Sequence, residues 1–167
     1  MTGTRVALRV LIMFLLSVLQ VTVINRIGFP LAPPDIVVMG VVCFALADGP
    51  AVGAGCGFIA GLFCDAMAIH PMGRLALLLC LIGYAVGLLR FEAIRSRLWA
   101  LLMVAGASGV AVLAYAAMAK LGGDPDVTAR IVGKHLIGTM LWTLLLAPFV
   151  LPPVMASARR IRPGRFA

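Results

Sequence analysis

Few residues in this 167-residue chain are of types that do chemistry, and the most ordered of them form one line: Gly53, Gly57, Gly61 and Asp65, spaced by four. On an α-helix, residues i and i+4 lie one above the other, so the line reads as a groove of bare backbone ending in a carboxylate. Two overlapping GxxxG patterns of this kind let helix backbones approach closely and gain van der Waals contact in lipid, where no hydrophobic force drives helices together. The groove can take a partner's helix or one of the chain's own. Asp65 can accept a hydrogen bond from whatever fills the groove, or pair with Arg74 across a short loop. No second acid within an apolar segment offers a proton relay, which favours a structural role.

The remaining candidates are sparser. Gly83 and Gly87 form a second, shorter GxxxG beside Tyr84, whose hydroxyl needs a partner, and read as packing residues. Lys134 and His135 fall together near the start of the last apolar segment, where a lysine can extend its amine toward water. Cys43, Cys56, Cys64 and Cys80 all sit in apolar stretches and show no metal-ligand spacing with His70 or His135. No nucleophile stands with a base and an orienting group, and no phosphate-cradling Gly-Lys loop, carboxylate pair or HExxH occurs. The expectation is a protein that is not an enzyme and holds neither cofactor nor metal.

The elements that must position these residues are apolar throughout. With 63% hydrophobic and 12% charged residues and a mean hydropathy of +1.12, the chain departs from soluble domains, in which about a quarter of residues are charged. The net charge of +8 comes from short clusters flanking apolar runs, not from a basic face interleaved with aromatics. It therefore reads as topological charge, with no nucleic-acid partner. Arg5 and Arg9 precede an apolar run that continues to Ile24 without a small-residue cleavage signature, so that run is taken as a retained span.

Six spans are expected, approximately 7–24, 36–47, 51–69, 75–89, 98–118 and 131–155, in one transmembrane domain covering 1–167. The second is short for a bilayer that asks for about 20 residues. Charge parity favours six crossings with both termini cytoplasmic. Nine arginines then lie inside (Arg5, Arg9, Arg90, Arg95, Arg97, Arg159, Arg160, Arg162, Arg165) and five of the 14 cations outside. Asp48-Gly49-Pro50 becomes a tight cytoplasmic turn, with Pro50 in the first turn of the third helix. Asp35 becomes the cap of the second helix. Trp99 reads as an interfacial anchor, and Pro148, Pro152 and Pro153 are expected to bend the cytoplasmic end of the last helix. No soluble domain is expected on either side.

The order Pro34-Asp35 opening a short apolar helix, a Gly-Pro turn, and then the run through Gly57, Gly61, Asp65, Gly73-Arg74, Gly83-Tyr84, Gly87 and Arg90 resembles the bacterial rod shape-determining protein MreD family. The resemblance is carried by about a third of the chain. It implies a non-enzymatic scaffold or regulatory subunit of the cell-elongation machinery in the plasma membrane. Its implied partner is MreC, a single-span protein, and through MreC it acts on the transglycosylase RodA and its penicillin-binding transpeptidase partner, with the MreB cytoskeleton as a further candidate. The partner's helix would then lie in the Gly53, Gly57, Gly61 groove, with Asp65 at its end. Pro34, Asp35, Arg74, Gly83, Gly87 and Arg90 are the structural or interface residues that the resemblance marks. The family is also similar to the S components of energy-coupling-factor vitamin transporters, six-helix proteins with a Gly-rich third helix ending in an acid. That makes a vitamin-binding S component the alternative, drawing its polar groups from Asp65, Arg74, Tyr115, Lys134 and His135.

Overall fold

A computed structural model describes residues 2–28, 32–67, 73–90, 97–121 and 129–160. Among them are six α-helices and one 3-10 turn, with no strand: α1 (Thr2–Thr22), the turn Ile24–Arg26, α2 (Ile36–Asp48), α3 (Pro50–Met67), α4 (Arg74–Leu88), α5 (Arg97–Leu121) and α6 (Ala129–Arg160). Each expected apolar segment is a helix. The Gly122-Gly123-Asp124-Pro125 loop, Pro30, His70, Arg95, Arg162 and Arg165 lie outside the described residues. Three stretches, Val6–Arg26, Pro50–Met67 and Leu101–Lys120, are long and apolar enough to cross a membrane, and α2 and α4 are shorter apolar helices. α6 is helical throughout, including Pro148, Pro152 and Pro153.

The architecture is organised around its shortest helix. α2 touches each of the other five, and every residue from Ile36 to Leu46 is buried. That explains its sequence, VVMGVVCFALA, apolar on every side and without an amphipathic stripe: a helix hydrophobic all round belongs in an interior. Around it the contacts run α1 to α3, α3 to α4, α4 to α5 and α5 to α6, while α1 and α6 make no contact among the described residues. Five helices thus wrap an axial sixth and leave the ring open at one seam. The outer faces carry exposed leucines and isoleucines, such as Leu11, Leu15, Leu81, Leu102 and Ile137, as expected where lipid is the solvent. Tyr84 belongs to this outer surface at 49% exposed, not to the interior.

Both ends of α2 are fastened by polar groups. At its C-terminus Gly49 adopts φ 99°, a conformation that favours glycine, and its N–H closes on Ala45 O. Pro50 then opens α3 directly. Beside this turn Arg9 Nη2 of α1 donates to Asp48 Oδ2 at 2.9 Å, an ion pair whose side chains are only 19% and 5% exposed. At the N-terminus the Asp35 side chain accepts from Val38 N, as its cap position predicts. Gln20 of α1 reinforces it by accepting from Ile36 N and donating to Pro34 O, both at 3.0 Å.

Because Arg9 bonds a largely buried carboxylate, Arg9→Met is expected to cost about 1–3 kcal/mol, with Arg9→Lys losing less. Thermal unfolding of the purified protein in detergent measures both.

Candidate functional site

The glycine line of α3 faces α4. A methyl group on Gly53 would lie closer than 3.0 Å to Gly83 O and Ala45 Cβ, one on Gly57 would meet Leu79 O, and one on Gly61 would meet the Ala76 backbone. The reverse holds from α4, where Gly83 meets the Gly53 carbonyl and Gly87 meets Pro50. The two GxxxG patterns are therefore the two halves of one internal seam. The groove expected to receive a partner's helix is filled by the chain's own next helix, because a connection of a few residues keeps α4 at hand in antiparallel register. Gly55, on the opposite side of α3, has open space around it.

Asp65 closes the end of this seam beside the N-terminus of α4. It is 2% exposed, and its Oδ2 accepts from Gly73 N at 2.9 Å, Leu75 N at 3.1 Å and Ala76 N at 3.2 Å. These are first-turn amides of α4, which have no intrahelical acceptor and carry the positive end of the helix dipole. Gly73, at φ 99°, supplies no side-chain cap of its own, so the acid from α3 does that work across the hairpin. The carboxylate's partner is backbone, and the Arg74 pairing considered from sequence does not form among the described residues. Gly73 is required by geometry, since few other residues adopt its conformation cheaply.

At the opposite end Arg90 is drawn into the same hairpin. Its Nη1 lies 2.9 Å from where a Cβ on Gly49 would stand, so its guanidinium rests on the Asp48-Gly49-Pro50 turn. Arg9, Asp48, Gly49 and Arg90 thus gather at one end of the bundle, and Asp65, Gly73 and Asp35 mark the other.

Above the N-terminus of α2 the bundle contains a cavity of about 500 Å³. Its polar lining is Gln20, Asn25, Asp35, Tyr115 and His135, and Val37, Leu79, Ala111 and Val132 are among its apolar walls. It exists because helices of unequal length are packed side by side. α2 has 13 residues, about 20 Å, whereas α1 has 21, α5 has 25 and α6 has 32. Of the polar groups proposed from sequence for a pocket, Tyr115 and His135 line it and Asp65, Arg74 and Lys134 do not. Gln20, Asn25 and Asp35 replace them.

Three polar contacts were not foreseen: Arg9 with Asp48, Gln20 with the Pro34–Ile36 segment, and Ser17, whose Oγ lies 2.9 Å from Met13 O and 3.3 Å from Ala60 O. Only the first left a trace in the sequence, as opposite charges at ends of segments assigned to one side. The four cysteines are free thiols, and no metal-binding group occurs among the described residues.

The sealed α3–α4 hairpin and its flanking ends coincide with the stretch that carries the family resemblance, and the comparison with family models reaches further. The model of the rod shape-determining protein MreD matches residues 3–156. The chain belongs to the MreD family. Comparison with curated proteins and with solved structures gave no match. Membership in the MreD family makes this a membrane protein of the rod-shape-determining system. In these terms Gly53, Gly57, Gly61, Asp65, Gly83 and Gly87 build the hairpin itself.

Gly57→Ala is expected to destabilise the protein by about 1–3 kcal/mol, because a backbone carbonyl occupies the space, while Gly55→Ala is neutral or slightly stabilising. Asp65→Ala is expected to cost about 2–3 kcal/mol, and Asp65→Asn less because its carbonyl can still accept. Thermal unfolding of the four variants side by side checks these orders.

Proposed function

We propose that this chain is a membrane-embedded scaffold and regulatory subunit of the bacterial cell-elongation complex. In this reading it spans the plasma membrane six times with both termini cytoplasmic. It binds the transmembrane helix of an MreC-like single-span partner and through it supports peptidoglycan synthesis by RodA and its transpeptidase, linked to the MreB cytoskeleton. The observation that carries the reading is the MreD family match over residues 3–156. A bundle with an internally clamped hairpin and leucine-rich outer faces is consistent with it. Since α4 fills the glycine groove, the partner's helix meets an outward face, and Gly53, Gly57 and Gly61 serve binding by holding that face in shape.

The alternative, a vitamin-binding S component, draws on one observation, the 500 Å³ cavity, which lies within the size range of small-molecule sites. Tight vitamin binding by the purified protein alone would favour it.

The scaffold reading expects co-purification with a single-span coiled-coil partner in mild detergent. Gly57→Leu should lower the melting temperature and the yield of complex together. A Gly57→Leu protein that keeps its melting temperature but loses the partner would return the partner's helix to the groove. Absence of any complex with the wild-type protein would remove the scaffold reading.

A further inference from the structure

We infer that the groove between α1 and α3 seats one acyl chain of an anionic phospholipid whose phosphate is held by Arg9. This groove is separate from the cavity above α2 and does not depend on the partner reading.

The two helices make the groove by parting at one end. A face of α1 from Val6 to Met13 and a face of α3 from Val52 to Ile59 enclose about 200 Å³, and the exposed Val6 puts its mouth on the outer surface. Each face advances about 10 Å along its helix. One turn further on the same helices close against each other: Phe14 and Phe63 meet edge to face with ring centroids 5.0 Å apart, and Ser17 Oγ lies 3.3 Å from Ala60 O. The groove is therefore a slot that is blind at that end. Gly55 keeps it open, since a Cβ there would meet nothing within 4 Å. A slot of this volume admits a hydrocarbon chain, whereas a helix, about 10 Å across, cannot enter it.

Arg9 decides the chemistry at the mouth. It is the charged residue of the described lining, and valine, methionine, isoleucine, glycine and cysteine make up the rest. A guanidinium offers several N–H donors and no acceptor, and it stays charged. Among the described residues Arg9 bonds one acceptor, from Nη2 to Asp48 Oδ2, and its Nε is buried without one. Unmet donors are costly in a bilayer, so the site calls for a further acceptor. The Arg90 guanidinium rests on the Asp48-Gly49-Pro50 turn, so among the described residues two cations attend one carboxylate. The acceptor that complements them is an anion, and phosphate oxygens match the guanidinium fork. A free phosphate would leave the apolar slot unfilled. A phospholipid supplies the phosphate and the chain together.

The test titrates the full-length protein in detergent with phosphatidylglycerol and with phosphatidylcholine of the same chains, and reads the melting temperature. Phosphatidylglycerol is expected to stabilise the protein at about tenfold lower concentration than phosphatidylcholine, the worth of one charge-assisted hydrogen bond. Gly55→Leu, which starts a side chain into the open space of the slot, should melt like the wild type without lipid and lose the shift from phosphatidylglycerol. Gly106→Leu, at an open glycine of α5 outside the slot, should keep it. Arg9→Met, melting from a lower baseline, should respond alike to the two lipids. Equal responses of the wild type, a preference for phosphatidylglycerol retained in Arg9→Met, or a shift lost equally in Gly106→Leu would overturn the inference. So would an undiminished shift in Gly55→Leu, and if that variant also loses a co-purifying single-span protein, the slot belongs to the partner.

Discussion

The backbone contact between α3 and α4 is the constraint from which the bundle follows. In lipid, side chains gain little by leaving their solvent, so close packing and satisfied polar groups must hold helices together. Here glycines on both helices let carbonyls and α-carbons meet where side chains would stand, and Asp65 binds the free amides of α4 at the end of the contact. The carboxylate fixes the longitudinal register of α4, and the glycines set its distance. With that hairpin in place, α2 is backed on two sides, and α1 and α5 have edges to lean on.

A short helix at the centre of longer ones has two consequences. Its ends fall inside the bundle, so each must be satisfied by groups from other helices, and they are: Arg9 binds Asp48 at one end, and Gln20 and Thr143 reach the Pro34–Ile36 segment at the other. The length it lacks becomes empty volume between its neighbours, and that volume is the cavity. The same mismatch thus places polar groups from several helices around one cavity.

Within the MreD family this arrangement separates two kinds of surface. The glycines that looked most available to a partner are consumed inside the protein. The faces left exposed are ordinary leucine-rich ones, with open space beside glycines such as Gly55 and Gly106. The outer faces of α3 and α4 are backed by a hairpin that has no room to shift.

By itself the sequence determined what is local or periodic. The apolar segments, the Gly49-Pro50 turn, the Asp35 cap and the two glycine lines are patterns within a few residues, governed by helix geometry and backbone conformation that do not depend on the rest of the fold. Only the tertiary structure decided which of two candidate helices fills the groove, that Asp65 holds backbone amides and not Arg74, that Arg9 finds a carboxylate 39 positions away, and that five polar groups converge above α2. These depend on the relative lengths and register of separate helices. A hydrogen-bonding group in an apolar chain shows that it needs a partner, but many partners are chemically acceptable. Packing alone selects among them.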